Sequence, residues 1–301
     1  MRFALAGATG LIGGSVHARL SEHGAVTTIG RQSNSSVSLD LADTDGIDKL
    51  DLGGFDAFVH CAGVVDEDFT HDREAAFKRS ITGMEHLVRK AKSCGVKKFI
   101  YLSTSHVYGR LEGLINEHSA VNPLTDYALA HFNAEQMIRR HTDGGFQGVV
   151  FRPNAVYGIP VYRQNFDRWY LIPYSFPVEA VDKQKITLKT SGEQYRNFIS
   201  NNDCARYIEK MIFSNGGQEE FTVINPVGAD SMSIYDFALI CADIYREITG
   251  NECPVIRPAV EETKRPSLDF KTIHADYRPT ENVRSYLYQF IHMLIKERGS
   301  S

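Results

Sequence analysis

The run Gly7-Ala8-Thr9-Gly10-Leu11-Ile12-Gly13 follows an apolar segment, Phe3 to Ala6, and leads into a stretch with apolar residues at 11, 12, 16 and 20. A G-x-x-G-x-x-G run between a strand pattern and a helix pattern leaves few structural options. Gly7 permits a tight turn, Gly10 lets a pyrophosphate approach the backbone, and Gly13 lets helix and strand pack closely. The N–H groups of the helix start then face the anion. Gly7, Thr9, Gly10, Leu11, Ile12 and Gly13 are therefore expected to contact a dinucleotide.

The N-terminal half continues in the same rhythm of short apolar runs and longer helical patterns, which predicts βαβ units and a parallel sheet. Val26 to Ile29, Phe55 to His60, Phe99 to Ser103 and Gly148 to Phe151 read as strands, and 43–52, 73–94 and 127–142 as helices. After residue 152 the pattern turns Pro-, Gly- and aromatic-rich, as in Ile159-Pro160-Val161-Tyr162 and Leu171 to Pro177, which suits loops and short elements around a ligand. Helical patterns return at 202–213, 233–249 and 280–297, with a strand-like run at Phe221 to Ile224. The expected architecture is α/β: a Rossmann-type doubly wound parallel sheet over 1–165, with a smaller substrate-binding region over 166–301. Residues 186–216 are expected to pack back on the first domain, and 166–185 and 217–275 to form a cap.

Composition narrows the function. The chain has 301 residues, with 33 Lys and Arg against 37 Asp and Glu, and lacks the basic surplus of a nucleic-acid binder. With 43% hydrophobic and 23% charged residues it can bury a full-sized core. The cysteines, Cys61, Cys94, Cys204, Cys241 and Cys253, are scattered and odd in number, which suggests neither a disulfide framework nor a thiolate metal site. No metal is expected. Glycines interrupt the first apolar run too early for a signal peptide, and no segment reaches the roughly 20 apolar residues of a membrane span. A cytoplasmic protein is expected.

In NAD-selective sites a carboxylate at the end of the second strand holds the ribose 2′-hydroxyl. Here that strand ends Ile29-Gly30-Arg31-Gln32-Ser33. Arg31 and Ser33 could instead receive a 2′-phosphate, which tilts the expectation from NAD toward NADP. Asp40-Leu41, after a short apolar run, could place a carboxylate near the adenine amino group.

Taken in order, several segments resemble the extended short-chain dehydrogenase/reductases, also called the NAD-dependent epimerase/dehydratase family. They are the glycine loop, Asp40-Leu41, His60-Cys61-Ala62-Gly63, Ser103-Thr104-Ser105-His106-Val107-Tyr108-Gly109, Tyr127 opening a helix, Arg152-Pro153-Asn154-Ala155-Val156-Tyr157-Gly158, and Arg196-Asn197-Phe198-Ile199 with Asp203. The resemblance covers nearly the whole chain. It implies Cys61, Ala62, Gly63 and Pro153 as further cofactor contacts, and Thr104 and Tyr127 as the pair sharing a substrate hydroxyl or carbonyl.

The family's lysine four residues after the tyrosine binds the nicotinamide ribose and lowers the phenol pKa. This chain has His131 in its place. Positions i and i+4 share a helix face, so His131 can occupy that neighbourhood. An imidazole with a pKa near 6.5 is mostly neutral at pH 7, and it supplies much less field to a phenol whose pKa is about 10. Two readings stay open: a modified relay using His131 or His106, or a dinucleotide-binding fold with lost or slowed chemistry. Ser80 stands where the family often has Asn, and Ala155 where an Asn commonly touches a sugar diphosphate, one residue after Asn154. Arg196 keeps the diphosphate-contacting arginine, and Ser105 joins the expected substrate contacts.

The resemblance implies a nucleotide-diphosphate sugar, oxidised or reduced at C4. Dehydratases of the family usually carry Asp-Glu after the catalytic Thr. Ser105-His106 stands there, which disfavours a standard 4,6-dehydratase and leaves epimerase and reductase. Family members commonly dimerise through two helices, here 73–94 and 127–142, so a homodimer is expected.

Overall fold

The computed structural model describes residues 1–33, 35–214, 219–259, 267–274 and 276–299. Strand β1 (Arg2–Ala6) feeds the glycine turn and helix α1 (Leu11–Ser21), followed by β2 (Ala25–Gly30), β3 (Val37–Ser38) and the short helix α2 (Thr44–Asp48). Then come β4 (Ala57–His60), α3 (Asp66–His71), α4 (Arg73–Phe77), α5 (Met84–Ser93), β5 (Lys98–Leu102), β6 (Gly113–Ile115), α6 (Asp126–His141) and β7 (Gln147–Phe151). The rest runs β8 (Ala155–Tyr157), α7 (Ile172–Lys183), β9 (Ile186–Thr187), β10 (Tyr195–Ser200), α8 (Asn201–Phe213), β11 (Phe221–Ile224), β12 (Asp230–Ser233), α9 (Ile234–Thr249), β13 (Val255–Ile256), β14 (Leu268–Phe270) and α10 (Val283–Gly299).

Seven strands form one sheet in the order β3-β2-β1-β4-β5-β7-β11, every pairing parallel. The strand order reverses beside β1, between β2 and β4, and a doubly wound sheet opens its ligand crevice at such a point. The period-two alternation of buried strands builds a core on each face. Phe3, Leu5, Ala57, Val59, Ile100 and Val149 pack with α1 and α8, whereas Ala4, Ala6, Phe58, Phe99, Tyr101 and Val150 pack with α2, α5 and α6.

A third core gathers α7, α9 and α10 around Tyr174, Phe176, Phe237, Leu287 and Phe290, beside a small sheet of order β12-β10-β8. β11 is the last strand of the main sheet, so the segment 217–275 is shared between the sheet and the added layer. Residues 217–218, 260–266 and 275 of that segment lie outside the described residues.

Two expectations needed correction. Leu171 to Pro177 is not loop: it enters α7, with Pro173 in the first turn, where no helical N–H is lost, and Pro177 inside. The carbonyl that Pro177 cannot bond is that of Pro173, and Tyr286 Oη donates to it at 2.9 Å. A tertiary contact thus removes the usual objection to proline inside a helix.

The continuous helix expected over 73–94 is broken by a π-helical turn, Lys78–Gly83. There Ser80 Oγ donates to Ala76 O at 2.9 Å, and a Cβ on Gly83 would fall 1.9 Å from Leu41 O. The close approach of the Leu41 backbone therefore requires glycine, and π-turns of this kind concentrate near functional sites. Among the described residues no helix is long and apolar enough to cross a membrane.

Candidate active site

The glycine turn is built as its spacing predicts. Gly7 has φ +81°, and a Cβ there would lie 2.7 Å from Ala62 N, so the ends of β1 and β4 touch backbone to backbone. A Cβ on Gly13 would lie 2.0 Å from Gly7 O, which forces glycine where helix meets turn. Gly10 meets nothing closer than Gly7 O at 3.4 Å, so its bare face is open to a ligand. Gly10 caps α1 without a side-chain hydrogen bond, whereas Thr125, Ser200 and Ser233 cap later helices with their hydroxyls. The free N–H groups at Leu11 and Ile12 and the missing Cβ atoms fit a dinucleotide diphosphate.

Around this cradle the expected contacts divide. Arg31 and Ser33 are exposed in the turn after β2. Asp40 is already engaged: its carboxylate accepts from Arg79 Nε at 3.2 Å and from Ala42 N at 2.9 Å. Partial burial pushes its pKa up, but Arg79 and the Ala42 N–H outweigh this and hold it below the usual value. Leu41 is buried, and Cys61, Ala62 and Gly63 form the half-buried loop after β4. Burial pushes the Cys61 thiol up to about 12, so it stays a neutral thiol. Ser80 turns its hydroxyl into its own helix.

Thr104 and Tyr127 are brought together. Thr104, 4% exposed, caps a 3-10 turn after β5 with Oγ1 accepting from His106 N at 3.2 Å. Tyr127 sits in the first turn of α6, and the Thr104 hydroxyl acts on its phenol as a hydrogen-bond partner that favours ionisation. Burial prevails over this and over the nearby Arg168 cation, while Asp66 and Glu67 push the same way as burial, so the Tyr127 pKa stands above its ordinary value. The His106 ring lies 6.0 Å from that of Tyr127, centre to centre. Its pKa is lowered by burial and by Arg196, against Asp66.

His131 is buried at 3% exposure, edge to face with Tyr127 at 4.6 Å between ring centres. Its Nε2 lies 3.3 Å from Val64 O, which can only accept, so Nε2 carries the hydrogen. Nδ1 is then the acceptor for Tyr101 Oη at 2.7 Å. Both ring nitrogens are satisfied within the protein, and burial pushes the imidazole down to about 4. The ring also fills the space where a Gly63 Cβ would stand, 2.8 Å from Cε1. These contacts hold the imidazole beneath the loop after β4.

Asn154 and Ser105 are likewise engaged. Asn154 Nδ2 donates to Ser105 Oγ at 2.8 Å, and its Oδ1 accepts from Asn197 N at 2.9 Å, bracing the turn after β5 against β10. Pro153 is buried and its carbonyl accepts from Ser105 N at 3.0 Å. Ala155 is half-buried in β8 beside Phe198 of β10. Arg196 Nη1 donates to Tyr195 O at 2.7 Å, and burial lowers its pKa. Arg196 lines a cleft of about 240 Å³ together with His106, Arg110 and Tyr195. A larger hollow, lined by Arg19, Arg206 and Lys210, lies on α1 and α8, where those cations pair with Glu209, Asp203 and Asp276.

Sequence reasoning missed the support beneath this pair. Glu135, fully buried, accepts from Arg152 Nε at 3.0 Å and Nη2 at 2.5 Å and from Ser103 Oγ at 2.5 Å. The signal was present: Tyr127, His131 and Glu135 recur every four residues on one helix face, and a carboxylate flanked by Ala134 and Ile138 on an apolar face requires a cation. Tyr101 and Arg168 carried no such signal.

The parallel sheet and the glycine cradle at its switch point define a dinucleotide-binding fold, with Thr104 after β5 and Tyr127 in the first turn of α6 side by side. The profile of the NAD dependent epimerase/dehydratase family matches residues 4–225, and the chain belongs to that family. It is 23% identical over 198 residues to an uncharacterized UDP-glucose epimerase, YtcB, of Bacillus subtilis, a match covering 64% of this chain and 60% of that protein. Matches to a Dictyostelium discoideum dTDP-D-glucose 4,6-dehydratase and a Pseudomonas syringae uronate dehydrogenase span 35% and 47% of those proteins.

Solved structures share the fold over nearly the whole chain. The UDP-N-acetylglucosamine 4-epimerase of Methanobrevibacter ruminantium has a TM-score of 0.81 at 21% identity, covering 98% of each chain. The UDP-glucuronic acid 4-epimerase of Bacillus cereus, in complex with UDP-glucuronic acid and NAD, gives 0.75 at 22%, covering 98% of this chain and 100% of that one. RMD of Pseudomonas aeruginosa, complexed with NADPH, gives 0.78 at 18%, covering 98% of this chain and 99% of that one.

Proposed function

We propose that this protein is a nicotinamide-dinucleotide-dependent epimerase or reductase acting at C4 of a nucleotide-diphosphate sugar. The observation that carries the reading is the Thr104–Tyr127 pair at the carboxyl end of β5, next to the open glycine cradle. Bound nicotinamide supplies the hydride acceptor or donor. Thr104 orients the sugar hydroxyl, and Tyr127 Oη takes its proton as the carbon loses hydride, leaving a 4-keto sugar. The reverse order returns the proton to the keto oxygen. Arg196, half-buried and without a carboxylate partner among the described contacts, receives the diphosphate.

Arg31 and Ser33 favour NADP, because an exposed guanidinium at the end of β2 suits a 2′-phosphate and no carboxylate stands there. Calorimetric titration with NADP and NAD tests this: Arg31→Ala should weaken NADP while leaving NAD unchanged, and equal losses overturn it. Residues 166–301 act chiefly as the substrate-binding region. Two subunits associate through the helical segments 73–94 and 127–142, and light scattering that gives a monomer at micromolar concentration refutes the dimer.

A specific observation supports a second reading, a dinucleotide-binding protein with slowed chemistry: His131 is neutral and internally satisfied, so position 131 gives Tyr127 no cation. Incubation with UDP-, GDP- and dTDP-sugars, with and without NADPH, separates the cases. Cofactor consumption marks a reductase, and a changed sugar without consumption marks an epimerase. If only His131→Lys turns over, the second reading holds.

A further inference from the structure

Thr104 stands between two residues that are each tied down. Before it, Ser103 donates from its backbone N to Phe151 O at 2.7 Å and from Oγ to Glu135 Oε1 at 2.5 Å. After it, Ser105 N donates to Pro153 O at 3.0 Å, and Ser105 Oγ accepts from Asn154 Nδ2 at 2.8 Å. The chain that brings Pro153 there is held by Arg152, whose Nε donates to Glu135 Oε1 at 3.0 Å and whose Nη2 donates to Oε2 at 2.5 Å. Both neighbours of Thr104 therefore trace back to one carboxylate, Ser103 directly and Ser105 through Pro153 and Arg152.

That carboxylate rides on the helix that carries Tyr127. Tyr127, His131 and Glu135 follow one another at four-residue steps on one face of α6. The 3-10 turn Ser105–Tyr108 lies against the same helix, with the His106 ring 6.0 Å from that of Tyr127. Its far end is closed by the same ion pair: the Arg152 guanidinium lies 4.9 Å from the centre of the Tyr108 ring, and Tyr108 Oη donates to Asn225 Oδ1 at 2.8 Å. We propose that Glu135 is a positioning residue for the reaction, setting Thr104 against Tyr127 through its bonds to Ser103 and Arg152.

Stability alone does not account for the arrangement. Glu135 is fully buried, and a buried ion pair adds little over a well-packed apolar pair, because desolvation offsets the attraction. What the carboxylate supplies is geometry: its two oxygens receive donors from the end of β5 and from the residue after β7 at once. Two groups that share one substrate oxygen work only close to their productive separation, and a displacement of about 1 Å can lower a rate about 10²-fold. Tyr101, the other sheet residue bonded to this face of α6, directs its hydroxyl to His131 rather than to a neighbour of Thr104.

This inference rests on Thr104 and Tyr127 being the reacting pair, and Ser103→Ala tests it, because that change leaves the Glu135 carboxylate both of its bonds from Arg152. With a sugar nucleotide that the native protein converts, Ser103→Ala should lower kcat roughly 10–100-fold and leave KM unchanged. In a Thr104→Ala background the same change should lower kcat no further, since its effect passes through Thr104. Ser103→Cys, close in volume and a weak donor, gives the same comparisons if the alanine variant does not fold. An unchanged kcat, or equal losses with and without Thr104, overturns the proposal. If the native protein converts no sugar nucleotide, the proposed reaction falls, and amide hydrogen exchange over 103–109, followed by mass spectrometry, still decides the placement. Faster exchange in Ser103→Ala supports it, and unchanged exchange overturns it.

Discussion

Tyr101 Oη donates to His131 Nδ1 at 2.7 Å, across the interface between the central sheet and helix α6. The bond fixes the tautomer, and with Val64 O on the other nitrogen it turns a residue aligned with a catalytic position into a buried brace. Four expectations follow from the surroundings of this pair and from the cradle beside it.

Acid should loosen the fold before it affects the surface. Burial pushes both His60 and His131 down to about 4, against about 6.5 in an unfolded chain. In that window the unfolded chain binds protons that the native chain does not. Stability is therefore fully present above about pH 6.5 and falls as pH drops toward 4, by up to about 1.4 kcal/mol per unit for each histidine. Urea denaturation across this window should show a shallower acid slope in His131→Asn than in the native protein.

Glu135→Gln should lose about 3–5 kcal/mol of stability by denaturant titration, because Arg152 would keep its charge in a buried site without its partner. Replacing both residues, Glu135→Leu with Arg152→Met, should cost less than the sum of the single changes. Strict additivity would show that the pair is not coupled.

The glycines of the cradle should separate folding from binding. Gly10→Ala has room within the chain, its Cβ 3.4 Å from Gly7 O, and should keep the native melting temperature while losing dinucleotide affinity in calorimetry. Gly13→Ala puts a Cβ 2.0 Å from Gly7 O and should lower stability by about 1–3 kcal/mol.

Tyr127→Phe should retain cofactor affinity and reduce turnover by roughly 10²–10⁴-fold, the usual contribution of a positioned proton-transfer group. Equal turnover in Tyr127→Phe and the native protein would remove Tyr127 from the reaction.

Much of the molecule was legible along the chain because the relevant physics is local. A strand's alternation, a helix's four-residue repeat and the glycines of a tight turn are short-range requirements, and they fell where the sheet, α1 and α6 are found, whereas Thr104 and Tyr127 were singled out only by the family resemblance. The π-turn at 78–83 escaped because the backbone that demands Gly83 comes from Leu41, and α7 escaped because the partner for the Pro173 carbonyl is Tyr286. The chemistry of the site divides along the same line. The sequence by itself determined that no lysine stands four residues after Tyr127 and that an imidazole stands in its place. Only the tertiary structure decided what that imidazole does, because its tautomer and its neutrality come from Tyr101, Val64 and burial between layers far apart in the chain.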